Sequence, residues 1–182
     1  MSRPERMSKR PWSVPLALGD VPESGRHFDL VADERARNAF AKHAGLAALP
    51  RLEASFDVAL HGRGGLHVVG RVSATVGQTC VVTLEPLENE VDESIDLVFA
   101  PGGTLLQAAG GEVEVPAVDE PEVLAGGVID LGAIATEFLI LGLDPYPRKP
   151  DATFRASAAG DDAAHPFAAL AALKKRQGRE ER

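Results

Sequence analysis

The chain has one cysteine, Cys80, which excludes an internal disulfide and any site built on several thiolates, and nothing in it points to an oxidising compartment. It also lacks an apolar run of the roughly 18 residues that a membrane-spanning helix needs. Its first residues, MSRPERMSKRPWS, are basic but have no secretory apolar stretch. No G-x-S-x-G, H-E-x-x-H, P-loop or dinucleotide fingerprint occurs. The pairs Gly64–Gly65, Gly102–Gly103, Gly110–Gly111 and Gly126–Gly127 sit in turns and connections, without the Lys and Ser/Thr of a phosphate cradle. These absences predict a non-enzymatic cytoplasmic protein with no catalytic residue, no metal, no cofactor and no membrane segment.

What is present suits one globular domain with tails: 182 residues, 45% hydrophobic and 25% charged. The net charge of −8 is unevenly placed. Residues 1–12 and 171–182 each carry +3, which leaves −14 on residues 13–170. An acidic body repels phosphate and steers a basic protein toward it, so any contact with nucleic acid falls to local cations or to the ends. DNA is not an expected partner.

Periodicity gives the outline. PWSVPLAL (11–18) reads as a short edge strand and GRHFDLVA (25–32) as a second strand. Asp33 can cap a helix running to about His43, with Gly45 as its stop and Ala36, Ala39 and Phe40 at helical spacing. Alternation at Leu52, Ala54, Phe56, Val58 and Leu60, then GRGG, then alternation at Leu66, Val68, Gly70, Val72, Ala74 and Val76, predicts a β-hairpin. Gly77 marks a bulge or turn. Residues 79–84 read as a further strand, and Glu90 to Phe99 as another, with Val91, Ile95, Leu97 and Phe99 on one side.

Residues 101–127, rich in Gly, Pro, Ala and acids, read as a mobile connection with a short strand at 112–115. Asp130 then caps a helix with the inward stripe Leu131, Ile134, Ala135, Phe138 and Leu139, which Pro145 stops. The expected fold is α+β: an antiparallel β meander, barrel- or sandwich-like, with two or three helices alongside. A single domain over 11–150 lies between a flexible basic N-terminus (1–10) and a largely disordered tail (151–182) with a short helix near 166–176.

Candidate sites follow from chemistry. Cys80 shares its parity with Val82 and Leu84, and the acids downstream would raise its pKa, so it reads as a small apolar filler rather than a nucleophile. His61 and His67 flank the hairpin turn and, with Asp57, have the right atoms for a metal, but two surface histidines without a fixed third ligand read as solvated side chains. In DPYPRKP, Tyr146 can stack on a base while Arg148 and Lys149 meet phosphates; the competing reading is a rigid helix exit with Tyr146 packed and both cations in water. Lys174, Lys175 and Arg176 in the tail suit electrostatic capture of RNA. Glu85, Glu88, Glu90, Asp92 and Glu93 read as a face for a basic protein partner.

WSVPL (12–16), QTCVVTLEPLENEVDE (78–93), IDLGAIATEFLILGLDPYPRKP (129–150) and HPFAALAAL (165–173) together resemble the YceD-like family, the bacterial and plastid large ribosomal RNA subunit accumulation proteins, in its alphaproteobacterial branch. The resemblance implies a role in building the large ribosomal subunit, through ribosomal RNA or an assembly intermediate, with escort of a basic ribosomal protein as the alternative. It implies no reaction. Many relatives carry a second cysteine three residues after the first and more after the C-terminal helix, an arrangement that suggests zinc. Here those positions hold Thr83 and, after the helix, Pro145, Tyr146, Pro147, Arg148 and Lys149. Cys80 is then the remaining member of a thiol set, serving as a packed side chain.

Overall fold

The alternating apolar run of residues 51–76 folds as the hairpin its period demands. A computed structural model describes residues 10–101 and 121–154. Strands β3 (Ala48–His61) and β4 (Gly65–Thr79) pair antiparallel in the register Leu60↔Leu66, Phe56↔Gly70 and Leu52↔Ala74. Leu52, Ala54, Phe56, Val58, Leu66, Val68, Val72, Ala74 and Val76 are buried on one face. The pairing slips between Ala48 and Arg51, opposite Gly77, so the bulge lies where the glycine marked it. Strand β5 (Pro86–Pro101) extends the sheet beside β4 and turns Val91 and Ile95 to the same interior.

Two helices cover that interior. In α1 (Glu34–Ala44), the Asp33 carboxylate accepts the Ala36 N–H at 2.7 Å, and Gly45 ends the helix at φ 69°, a left-handed conformation that glycine adopts freely. Phe40, Ala36 and Ala41 point inward; Ala39, expected there, faces out, because the stripe follows 36, 40 and 41. In α2 (Leu131–Gly142), Asp130 accepts the Ala133 N–H at 3.1 Å, and Leu131, Ile134, Ala135 and Leu139 are buried. Gly142 leaves room for Glu93, whose Oε1 would lie 2.5 Å from a Cβ there.

The strand order is β2-β3-β4-β5-β6, with β2 at Arg26–Val31 and β6 at Glu122–Leu124. Strands β1 (Pro15–Ala17) and β7 (Val128–Asp130) form a separate two-stranded sheet. The α+β class holds, and three details differ from the sequence reading. The sheet is open, not a closed barrel. β6 runs parallel to β5, inside the stretch read as a mobile connection. Residues 81–83 form a turn, not a strand, because their backbone bonds to a distant loop. The expected strand at 112–115, the helix near 166–176 and the cations Lys174, Lys175 and Arg176 lie outside the described residues. Packing separates Met1–Lys149 from Pro150–Arg182.

Candidate functional site

Cys80 begins a tight turn between β4 and β5. Its N–H donates to the Glu85 carbonyl at 2.8 Å, and its carbonyl accepts the Leu84 N–H at 2.9 Å, with Leu84 at φ 59°. The segment after α2 docks on this turn. Val81 N–H donates to the Pro147 carbonyl at 2.9 Å, and Gln78 Nε2 donates to the Asp144 carbonyl at 2.9 Å. Lys149 Nζ reaches Glu85 Oε2 at 2.9 Å. Between the loops, the buried Cys80 Sγ accepts the Lys149 N–H at 3.4 Å and the Thr83 N–H at 3.5 Å.

That geometry reverses one expectation. The Thr83 hydroxyl above all, then the Lys149 and Thr83 amide hydrogens, favour the thiolate and bring the Cys80 thiol down to about 6, against the opposing effect of burial. Of the acids thought to raise it, Glu85 is engaged by Lys149, whose ammonium lowers the Glu85 pKa in turn. Since the folded thiol titrates below its ordinary 9.0, the stabilisation is fully present above that ordinary value and is lost as pH falls through the folded one. Urea unfolding at the two ends of this window should show the native protein gaining more stability with rising pH than Cys80→Ser does. Equal gains would refute a perturbed thiol.

The loops present two predicted residues to solvent. Tyr146 is 71% exposed and not packed against the helix exit, as the competing reading had it. Its N–H is pinned by Asp144 Oδ1 at 2.8 Å, and buried Pro147 anchors the next position. Arg148 is exposed and has no ion-pair partner among the described residues. Lys149 is not a free cation, being held by Glu85.

The acidic residues divide between two faces of β5. Glu88, Glu90 and Asp92 line the outer face, whereas Glu93 shares the inner parity of Val91 and Ile95 and turns toward Gly142. Glu90 and Asp92 already meet a cation across the strands. Arg51 binds Glu90 at 2.6 Å, and Thr75 Oγ1 donates to the same carboxylate at 2.6 Å, both lowering its pKa. Arg71 pairs with Asp92, and His67 with Asp96 at 2.7 Å. Arg51 and Arg71 escaped sequence reasoning because only strand register sets them beside the acids.

The His61 and His67 rings do approach, with centroids 6.1 Å apart. Asp57, however, bonds His27 at 2.7 Å, and His67 is taken by Asp96. Among the described residues no group of three His, Cys, Asp or Glu side chains gathers for a metal. The zinc arrangement implied by the relatives does not fit this donor set: the loops bring together one thiol, a threonine and a lysine engaged by glutamate.

The sequence profile described as large ribosomal RNA subunit accumulation protein YceD matches residues 68–174, more than half of the chain. The chain belongs to the YceD family. The match opens within β4 and takes in the Cys80 turn, α2 and the loop after it, whereas Arg51 and the histidines precede it. No curated protein and no solved structure matches the chain. No helix among the described residues is long and apolar enough to cross a membrane.

Proposed function

We propose that this YceD protein supports accumulation of large-subunit ribosomal RNA in the cytoplasm by binding that RNA, or a precursor large subunit, without catalysing a reaction. The observation that carries this reading is the pair Tyr146 and Arg148. A solvent-facing aromatic stands two residues from a cation lacking a carboxylate partner among the described residues, on a loop held by backbone hydrogen bonds. A rigid aromatic can stack on an unpaired base while the guanidinium meets a phosphate. Escort of a basic ribosomal protein draws less support, since Glu85, Glu90 and Asp92 already face cations of the chain itself.

Tyr146→Ala/Arg148→Ala should weaken binding of a large-subunit ribosomal RNA transcript by about ten- to a hundredfold, from one lost stacking contact and one lost phosphate contact. Filter binding at fixed salt measures it, and unchanged affinity would sink the assignment to this loop. A nuclease-resistant complex with a basic ribosomal protein, recovered by pull-down from native cells, would favour the escort.

A further inference from the structure

A cationic cleft stands out on a body that carries −14 between residues 13 and 170. Along α1, Arg35, Asn38, Ala39 and Lys42 fall at i, i+3, i+4 and i+7, which is one face of a helix, with His43 beside them. All five are exposed. Arg35, Ala39, Lys42 and His43, with the segment Arg10–Ser13, line an open cleft of about 910 Å³ that buried Trp12 also borders. Arg10 reaches Asp130 at 3.4 Å and still opens to the cleft. Asp33 is the one carboxylate in the lining, and its Oδ1 is occupied with the Ala36 N–H. Glu34, on the adjoining face, does not line it.

Arg51, Arg71 and Lys149 each have a carboxylate of the chain opposite them, which discharges them as ligands for an external anion. Arg35 and Lys42 have none among the described residues. They stand seven residues apart, roughly 10 Å along the axis, and the small Ala39 between them lets a polyanion approach the helix closely. Cations spaced along one helix face suit a phosphodiester strand better than a single small anion.

We infer that the cleft between α1 and residues 10–13 is a binding surface for the RNA phosphate backbone, with Arg35 and Lys42 as its phosphate contacts. This rests on the reading that the chain binds RNA, and adds a second surface to the Tyr146–Arg148 loop. The cleft supplies charge without base recognition; the loop supplies stacking.

The test uses the full chain and a large-subunit ribosomal RNA transcript, titrated over a range of salt. Arg35→Gln/Lys42→Gln keeps good helix formers at both positions, and circular dichroism confirms the fold. The expected result is at least tenfold weaker binding at low salt. The slope of log K against log salt should also become shallower by about 1.4, from two lost contacts at about 0.7 each for a single strand. Arg35→Lys/Lys42→Arg should keep the native slope; if it loses as much as the glutamine pair, charge is not the cause and the inference falls. If the native protein binds and the glutamine variant binds equally well, the cleft is overturned while RNA binding stands. If the native protein does not bind the transcript, the functional reading and the cleft fall together.

Discussion

Asp130→Ala should lower the free energy of unfolding by about 3 kcal/mol, combining a lost helix cap with stranded donors. Few side chains among the described residues hold so many partners. Asp130 Oδ1 accepts the Val14 N–H at 2.8 Å and the Ala133 N–H at 3.1 Å. Oδ2 accepts the Ser13 hydroxyl at 2.8 Å and the Arg10 guanidinium at 3.4 Å. The carboxylate is nearly fully buried, so alanine leaves the Val14 N–H without its partner where water does not reach easily. Asp130→Asn keeps the Oδ1 acceptor and should lose about half as much. Urea titration of the three proteins checks the order, and equal loss in the two variants would show that charge, not the cap and the Val14 bond, matters.

Phe56→Ala should be at least as damaging, about 4 kcal/mol, because it combines lost burial with a cavity. Phe56 is fully buried and lies directly across from Gly70. Its ring occupies the place of the side chain that Gly70 lacks: a Cβ there would come within 2.5 Å of Phe56 Cδ1 and of the Ser55 carbonyl. Neither strand can supply a replacement, so the void stays open. Phe56→Leu fills part of it and should lose roughly 1–2 kcal/mol. An unchanged dependence on urea with a lower midpoint would locate the loss in the native core; a changed dependence would point to the denatured state instead.

Elements whose cause is local were readable from the residues alone. Asp33 and Gly45 bracket α1, Asp130 opens α2, and the alternation on either side of GRGG fixes the hairpin and its buried face. The reading failed where distant chain decides. Cys80, Val82 and Leu84 continue a strand-like parity, yet Val81 bonds to Pro147 and Cys80 to Lys149, and the backbone turns to reach them. The same dependence hid the site. Tyr146 and Arg148 were named from their chemistry, but whether a cation is spent on a neighbour depends on register and docking. Lys149 and Arg51 are spent; Arg35 and Lys42 are not. Those two residues carried a legible signal, cations seven apart on a helix face that otherwise offers Asn38 and Ala39, although nothing local marked the opposing wall at Arg10 and Trp12.

The pairing of β1 with β7 has a consequence in time. Synthesis delivers Pro15–Ala17 early, while the strand that must meet it, Val128–Asp130, follows more than a hundred residues later. At roughly 10 residues per second that delay is on the order of ten seconds. Meanwhile β2 through β5 can pair in order as each emerges, since every neighbour among them is consecutive in the chain. The meander therefore assembles with the β4 and β5 side of its interior uncovered, until α2 arrives and Asp130 draws Ser13 and Val14 into place. The first strand to be made is the last to find its partner.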